Sequence, residues 1–312
     1  MTHSGHDHVT CASNNGLEWD NLSPNREPVL VENRRQKMLQ SNEPDAFLAF
    51  ERGGWNTVIC GYERLFGPLT AQTVAPILDA AGVVSGCLAL DVCTGHGVLA
   101  AAATKRGARV SALDFAEEVV ATARHNVPTV EFRQGDAQNL PYPSNAFDAV
   151  ICGYGIMHVP EPARALAEMY RVARSGGRVA LSVWERPAQN NGFGLLLGAI
   201  ETHGRLDVSL PHGPDFFQFG DLENMRAALA QTGFKDVEAT TVSQAWRFEH
   251  PTDLIDAILQ GGVRVRALIN AQEQSALSAI KAAVEHGMSR LFRDGGGYSV
   301  AMPAIVGSGR KP

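Results

Sequence analysis

The sequence predicts a doubly wound α/β fold, a mostly parallel sheet with helices on both faces. Three observations carry that prediction. Short apolar runs alternate with helical patterns from Cys87 to Val183, and strands separated by helices pair in parallel through right-handed crossovers. The runs are nearly all apolar, as expected for strands covered on both faces. Gly95 and Gly97 follow the first run and precede the first helix of the alternation, where the backbone can turn tightly and approach a ligand closely. A ligand of such a sheet sits at the carboxyl ends of the strands.

The elements follow in order. Residues 1–28 are rich in Ser, Asn, Gly and His and lack hydrophobic periodicity, which predicts a flexible arm. His3, His6 and His8 cluster there, but a tail preorganises metal ligands poorly, and no metal is expected. Residues 29–86 form an N-terminal helical segment. A weak helix runs from Val29 to about Leu48, Gly53 and Gly54 break it, Trp55 to Phe66 is irregular, and Pro68 opens a second helix that stops at Gly82. The core, residues 87–186, has strands at Cys87–Val92, Arg109–Asp114, Thr129–Arg133, Phe147–Cys152 and Gly177–Val183. Its helices are Val98–Lys105, Ala116–Asn126 and one carrying Pro162, Leu166, Met169, Tyr170 and Ala173.

Residues 187–220, rich in Gly, Pro and His and without a strand pattern, read as a cap insertion. Residues 221–250 return a helix with Leu222, Met225 and Leu229 inward, closed by Gly233, and a strand from Asp236 to Val242. Residues 251–297 are a helical cap. Leu254, Ile255, Ile258 and Leu259 form one stripe. Asn270 with Glu273 resembles a capping box before a long helix. Residues 298–312 hold the last core strand, Tyr298–Val306, and a tail.

The bulk numbers exclude several classes. The 312 residues are 45% hydrophobic and 19% charged, with a net charge of −6 and no block of Lys or Arg; a nucleic-acid binder would show a basic footprint. The five cysteines are odd in number and never spaced C-x-x-C, which fits a reduced, cytoplasmic setting. There is no signal-peptide pattern and no apolar run of the ~18–20 residues that a membrane span needs.

The chemistry concentrates in three places. Asp91-Val-Cys-Thr-Gly95-His-Gly97 ends the first strand. Asp114 ends the second, where a carboxylate can accept hydrogen bonds from both hydroxyls of a ribose. Gly135-Asp136-Ala137 follows the third, where Asp136 can accept from an adenine amino group and the Ala137 amide can donate to a ring nitrogen. Blander roles compete: Asp91 as a loop cap, Asp114 as the cap of the following helix, Asp136 as a turn residue. A nicotinamide dinucleotide fits poorly, because the third glycine of its G-x-G-x-x-G loop is here Ala100.

With these motifs, Asn139-Leu-Pro-Tyr-Pro143, Phe147-Asp-Ala-Val150, Val159-Pro-Glu-Pro162 and Arg174-Ser-Gly-Gly-Arg178, the segment from Cys87 to Val183 resembles the class I S-adenosylmethionine-dependent methyltransferases. It is most similar to the branch that includes ubiquinone- and menaquinone-biosynthesis enzymes. The resemblance implies a Rossmann-like seven-stranded sheet of order 3-2-1-4-5-7-6 with the final strand antiparallel. It implies S-adenosylmethionine as cofactor: Asp91, Gly95 and Gly97 at its methionine end, Asp114 and the adjacent Phe115 at the ribose, Asp136 and Ala137 at the adenine, Gly153 and Tyr154 beside the methyl group. It also implies an N-terminal segment folded over the cofactor, with Trp55 and Tyr62 placed for a cation–π contact to the sulfonium.

Methyl transfer from a sulfonium is an in-line displacement that depends mostly on alignment. A base is needed only when the acceptor must lose a proton. His158, after the fourth strand, is the first candidate, ahead of His96, His203 and His212; Tyr154 is a candidate for orienting cofactor or acceptor. Phe193, Phe216, Phe217 and Phe219 can line an apolar acceptor pocket or pack the cap. The expected activity is methylation of a small molecule, first O-methylation of a carboxylate or hydroxyl of an apolar or aromatic metabolite, then C- or N-methylation of an aromatic product. A non-catalytic partner subunit is the rival of another class. The expected protein is a monomer or homodimer that binds neither nucleic acid nor membrane.

Overall fold

The structure is a computed structural model and describes residues 43–312. The expected arm, its three histidines and the start of the first helical segment lie outside the described residues.

The described chain begins with α1 (Glu43–Thr70), a 3-10 turn (Ala71–Thr73) and α2 (Val74–Ala80). The core then alternates as expected: β1 (Leu88–Val92), α3 (Val98–Lys105), β2 (Arg109–Asp114), α4 (Glu117–Asn126), β3 (Glu131–Gln134), β4 (Phe147–Gly153), a 3-10 turn (Ile156–His158), α5 (Pro162–Val172) and β5 (Ala173–Trp184). Next come α6 (Gly192–His203), α7 (Leu222–Thr232), β6 (Lys235–Val242) and β7 (Ala245–Phe248). The chain ends with α8 (Asp253–Gly261), α9 (Arg264–Asn270), α10 (Gln274–Leu291), β8 (Arg293–Asp294), β9 (Gly297–Ala301) and β10 (Ala304–Arg310).

The main sheet has seven strands in the order β3-β2-β1-β4-β5-β10-β6, and β10 runs antiparallel to both its neighbours. β10 is the seventh core strand in chain order, so the arrangement is the expected one. β1 is an interior strand between β2 and β4, with Leu88–Val92 in parallel register with Arg109–Leu113 and Ala89–Asp91 with Ala149–Ile151. The strand order reverses between β1 and β4, which opens a crevice at their carboxyl ends. Neighbouring strand residues serve opposite faces. Ala89, Ala149 and Ile151 pack under Ile77 and Leu78 of α2 and Leu99 and Ala103 of α3. Leu90, Val150 and Cys152 belong to the cluster that holds Leu166 and Met169 of α5 and Met225 and Leu229 of α7. The strands are apolar on both sides because both sides are covered.

Several local expectations are corrected. Gly53 and Gly54 do not break a helix; α1 runs through them and through Trp55–Phe66, and Pro68 lies inside its last turn instead of opening a new helix. The glycines permit close packing. A Cβ on Gly54 would collide with the Val263 side chain, and one on Gly61 with the backbone carbonyl of Gln260. The capping box is not formed: Asn270 closes α9, and Glu273, the residue before α10, makes no side-chain capping bond. The expected last strand is two strands divided at Met302-Pro303, and β9 pairs with β7 and β8 in a separate three-stranded sheet. The cap insertion contains a helix, α6, whose Asn191 side chain accepts the Gly194 N–H at its start.

Candidate active site

The loop after β1 is shaped by left-handed backbone. Cys93, Gly95 and Gly97 have φ values of 57°, 58° and 89°, a region that glycine enters without a steric penalty. Asp91 is fully buried behind this loop. Its Oδ2 accepts from the Thr94 hydroxyl at 2.7 Å and from the Ala100 N–H at 3.0 Å, so one oxygen ties the loop to the first turn of α3. Its Oδ1 is buried without a hydrogen-bond partner. Burial pushes the Asp91 carboxyl up to about 7, against the pull of those two donors.

Asp114 accepts from the Gly95 N–H at 3.1 Å and from the Ala116 N–H at 3.3 Å. Burial raises its carboxyl to about 6. Asp136 accepts from the backbone N–H of Gln138 at 2.8 Å, which closes a turn, and from the Gln138 side chain. The competing structural roles of Asp91 and Asp136 are therefore realised in part.

One cavity opens at the carboxyl ends of β1, β2 and β4. Its walls include Gly95, Asp114, Phe115, Asp136, Ala137, Gly153, Tyr154 and His158, and Trp55 and Tyr62 of α1 close it from the other side. It holds about 640 Å³ of space outside protein atoms, part of it open to solvent, within the usual size of a small-molecule site. Of the residues expected at the cofactor, together with His158 and Tyr154, all lie on this wall except Asp91, buried behind the glycine loop, and Gly97, which precedes α3. A second cavity adjoins the first and shares Trp55, Tyr62 and His158 with it. Its other walls are Phe66, Trp184, Phe193, Phe216, Ile258 and residues 261–265.

His158 stands at the junction. Its Nδ1 lies 2.9 Å from Glu51 Oε2, and its ring meets Trp55 and Phe216 edge to face at 5.0 and 5.5 Å. Glu51 is fully buried on α1, and its Oε1 lies 3.7 Å from Arg264 Nε. Tyr154 is buried with φ 55°, packs its ring on Trp184 with centroids 4.2 Å apart at a tilt of 31°, and accepts a hydrogen bond from the Gln244 side chain at 2.7 Å. Burial pushes the Tyr62 and Tyr154 phenols well above their usual range, which removes both as bases near neutrality. His96 packs edge-on to Tyr62, His212 is exposed, and His203 lies on a separate groove beside α6 and α10. Of the four phenylalanines, Phe193 and Phe216 line the second cavity, while Phe217 packs against both of them.

Glu51, Arg264 and Gln244 were not legible beforehand. A single Glu on an amphipathic helix, a single Arg at a helix start and a Gln in a short connection have no motif spacing; only the tertiary fold brings them to the cavities.

A family model described as a methyltransferase domain matches residues 90–181. The chain is 38% identical over 111 residues to a demethylmenaquinone methyltransferase of Renibacterium salmoninarum, covering 36% of this chain and 47% of that one. It is 33% identical over 202 residues to a demethylmenaquinone methyltransferase of Clavibacter sepedonicus, covering 59% of this chain and 77% of that one. The chain spans about half the length of several of the curated relatives it matches. Among solved structures it is similar to the YcgJ protein of Bacillus subtilis, with a TM-score of 0.51, 20% identity, and 77% and 97% of the two chains covered. It is also similar to a Haemonchus contortus phosphoethanolamine N-methyltransferase 2 in complex with S-adenosyl-L-methionine, with a TM-score of 0.50 and 18% identity, covering 82% of this chain and 57% of that one. At these identities the structural likeness speaks to the fold alone.

Proposed function

Because the chain belongs to the S-adenosylmethionine-dependent methyltransferase family, we propose that it methylates a small aromatic acceptor at a hydroxyl group. The observation that carries this reading is the position of His158, on the wall between a cavity fit for the cofactor and a second cavity walled by aromatic rings.

The residues present fit the cofactor. Asp114 presents a carboxylate to the first cavity where ribose hydroxyls would donate. Asp136 and Ala137 edge the adenine end. The glycine loop brings the backbone close to the methionine end, and the buried, unpartnered Oδ1 of Asp91 can receive a hydrogen bond there, directly or through water. Trp55 and Tyr62 present ring faces or edges to the same space, suited to a sulfonium. When bound, S-adenosylmethionine supplies an activated methyl group for in-line displacement.

The chain's own contribution is alignment and proton removal. The rings of Phe66, Trp184, Phe193 and Phe216 hold a planar acceptor and exclude water. Tyr154, held by Gln244 and Trp184, walls the first cavity. His158 takes the proton from the acceptor hydroxyl as its oxygen attacks. A carboxylate acceptor would need no base, so the His158 geometry favours a hydroxyl. The names of the curated relatives support a second reading, methylation at a carbon of an electron-rich ring, for which the same base would serve.

The test begins with calorimetric titration of S-adenosylhomocysteine, then a methyl-labelled cofactor offered with a panel of phenols and aromatic acids. Label on phenols, lost by about a hundredfold in His158→Gln with cofactor affinity unchanged, supports the proposal. Label on aromatic acids only, at a rate indifferent to His158, overturns it.

A further inference from the structure

Glu51 is the most anomalous residue near the two cavities. It is a carboxylate with no exposed surface, on the helix whose Trp55, Tyr62 and Phe66 wall the second cavity. A buried carboxylate is costly unless cations or donors compensate it. Among the described residues two groups face it, one hydrogen-bonded to Oε2 and one at ion-pair distance from Oε1, which has no hydrogen-bond partner. His158 Nδ1 lies 2.9 Å from Oε2, and Arg264 Nε lies 3.7 Å from Oε1.

Arg264 has little freedom to move away. Its Nη2 donates to Pro214 O at 2.9 Å and its Nη1 to Met157 O at 3.4 Å. Its guanidinium lies 5.0 Å from the Phe47 ring centre and 5.5 Å from that of Phe216. A fixed cation at that distance favours the ionised form of Glu51. An ionised carboxylate only accepts hydrogen bonds, so Nδ1 of His158 must carry the proton and Nε2 of the neutral ring is left with the lone pair. Nε2 has no hydrogen-bond partner among the described residues, and the ring forms part of both cavity walls.

We infer that Glu51 is a positioning residue that fixes His158 as the Nδ1–H tautomer, leaving the Nε2 lone pair to receive the acceptor's proton, and that Arg264 holds Glu51 ionised for this role. The inference rests on the proposed use of His158 as a base. In the step itself the acceptor O–H bond breaks, its proton bonds to Nε2, and its electron pair stays on the oxygen that forms the new O–CH₃ bond. The imidazolium that results keeps its hydrogen bond to Glu51 and later loses the proton to solvent. Glu51 stabilises the charged ring, as does Asp114 from β2. Arg264 opposes it and is itself under the influence of Asp215.

The tautomer can be read without any acceptor. Two-bond ¹H–¹⁵N correlation spectra of the full chain, with the His158 signals assigned by difference from His158→Gln, should show the Nδ1–H form above the ring's titration. An Nε2–H form overturns the inference even if the base assignment stands, and this measurement does not depend on any variant at Glu51 folding. On the phenol panel, Glu51→Gln should lower kcat by about tenfold or more with KM and S-adenosylhomocysteine affinity unchanged. In a His158→Gln background the Glu51→Gln change should have no further effect; an equal loss in both backgrounds would make Glu51 merely structural. Full activity of His158→Gln would instead sink the base assignment on which the inference rests.

Discussion

With Asp114 holding the ribose as proposed, the cofactor site is coupled to pH. Its carboxyl is raised by burial from 3.8 to about 6, and a ribose would be recognised by the ionised form. Below about pH 6 the proton must leave before the cofactor can bind. The affinity for S-adenosylhomocysteine is therefore expected to fall with each unit of acidification below about 6 and to level off above it, as calorimetry across pH 5–8 would show. The stability of the ligand-free protein moves the other way. The folded carboxyl has the higher pKa, so its contribution is complete below the unfolded value and is lost as pH rises through the folded one. Asp114→Asn should weaken cofactor binding and reduce the decline of the urea midpoint between pH 4 and 7. Equal slopes for the variant and the parent would contradict the burial argument. The three core carboxylates were legible in the sequence because each ends or follows a strand at a fixed interval. Glu51 was not, because its partners arrive from residues more than a hundred positions away.

At the scale of elements, α1 is where local propensity and tertiary packing conflict. Glycine in a helix interior costs up to about 1 kcal/mol relative to alanine, and on that basis Gly53 and Gly54 read as a break. Packing decides otherwise: Gly61 lets α1 approach the backbone at the end of α8, and Gly54 makes room for the side chain of Val263, two residues beyond that helix. Gly61→Ala, which improves helix propensity, is expected to destabilise the protein by about 1–3 kcal/mol, because the Gln260 carbonyl must move to admit the methyl group. Urea denaturation measures it, and a gain in stability would contradict this reading of the contact. Similar physics hid α6. Its Gly192, Gly194 and Gly198 looked like loop composition, yet a Cβ at Gly192 would press on Val300 and Met302, and one at Gly194 on the Ala188 backbone. Small residues demanded by close packing are indistinguishable, in one sequence, from small residues demanded by turns.

Across the whole molecule, the parallel core was the legible part. Its inner strands β1 and β4 are almost wholly buried and report themselves as apolar runs, the glycine loop follows β1, and only the edge strand β3, with Phe132 alone buried, is polar. In the cap the long helix α10 was legible, but α6 was hidden by its glycines and the short strands β7, β8 and β9 by their length. The strands β7, β8 and β9 lie apart from the main sheet, and Pro303 divides what periodicity alone reads as a single strand. No helix among the described residues is long and apolar enough to cross a membrane.

Trp55 and Tyr62 are shared by the two cavities, and both stand on α1. Two ligands that press on the same rigid rod are thermodynamically linked. Whatever factor cofactor binding applies to acceptor affinity, acceptor binding must apply to cofactor affinity. Titrating S-adenosylhomocysteine with and without a saturating phenol, and the phenol with and without S-adenosylhomocysteine, should return one common factor different from unity, and Trp55→Ala should bring it toward one. A consequence follows for redesign of the acceptor range. On the proposed reading, a change on α1 that reshapes the aromatic cavity will retune the grip on the methyl donor as well, whereas Phe193, which lines only the second cavity and touches no residue of the first, can be altered with the donor site left alone.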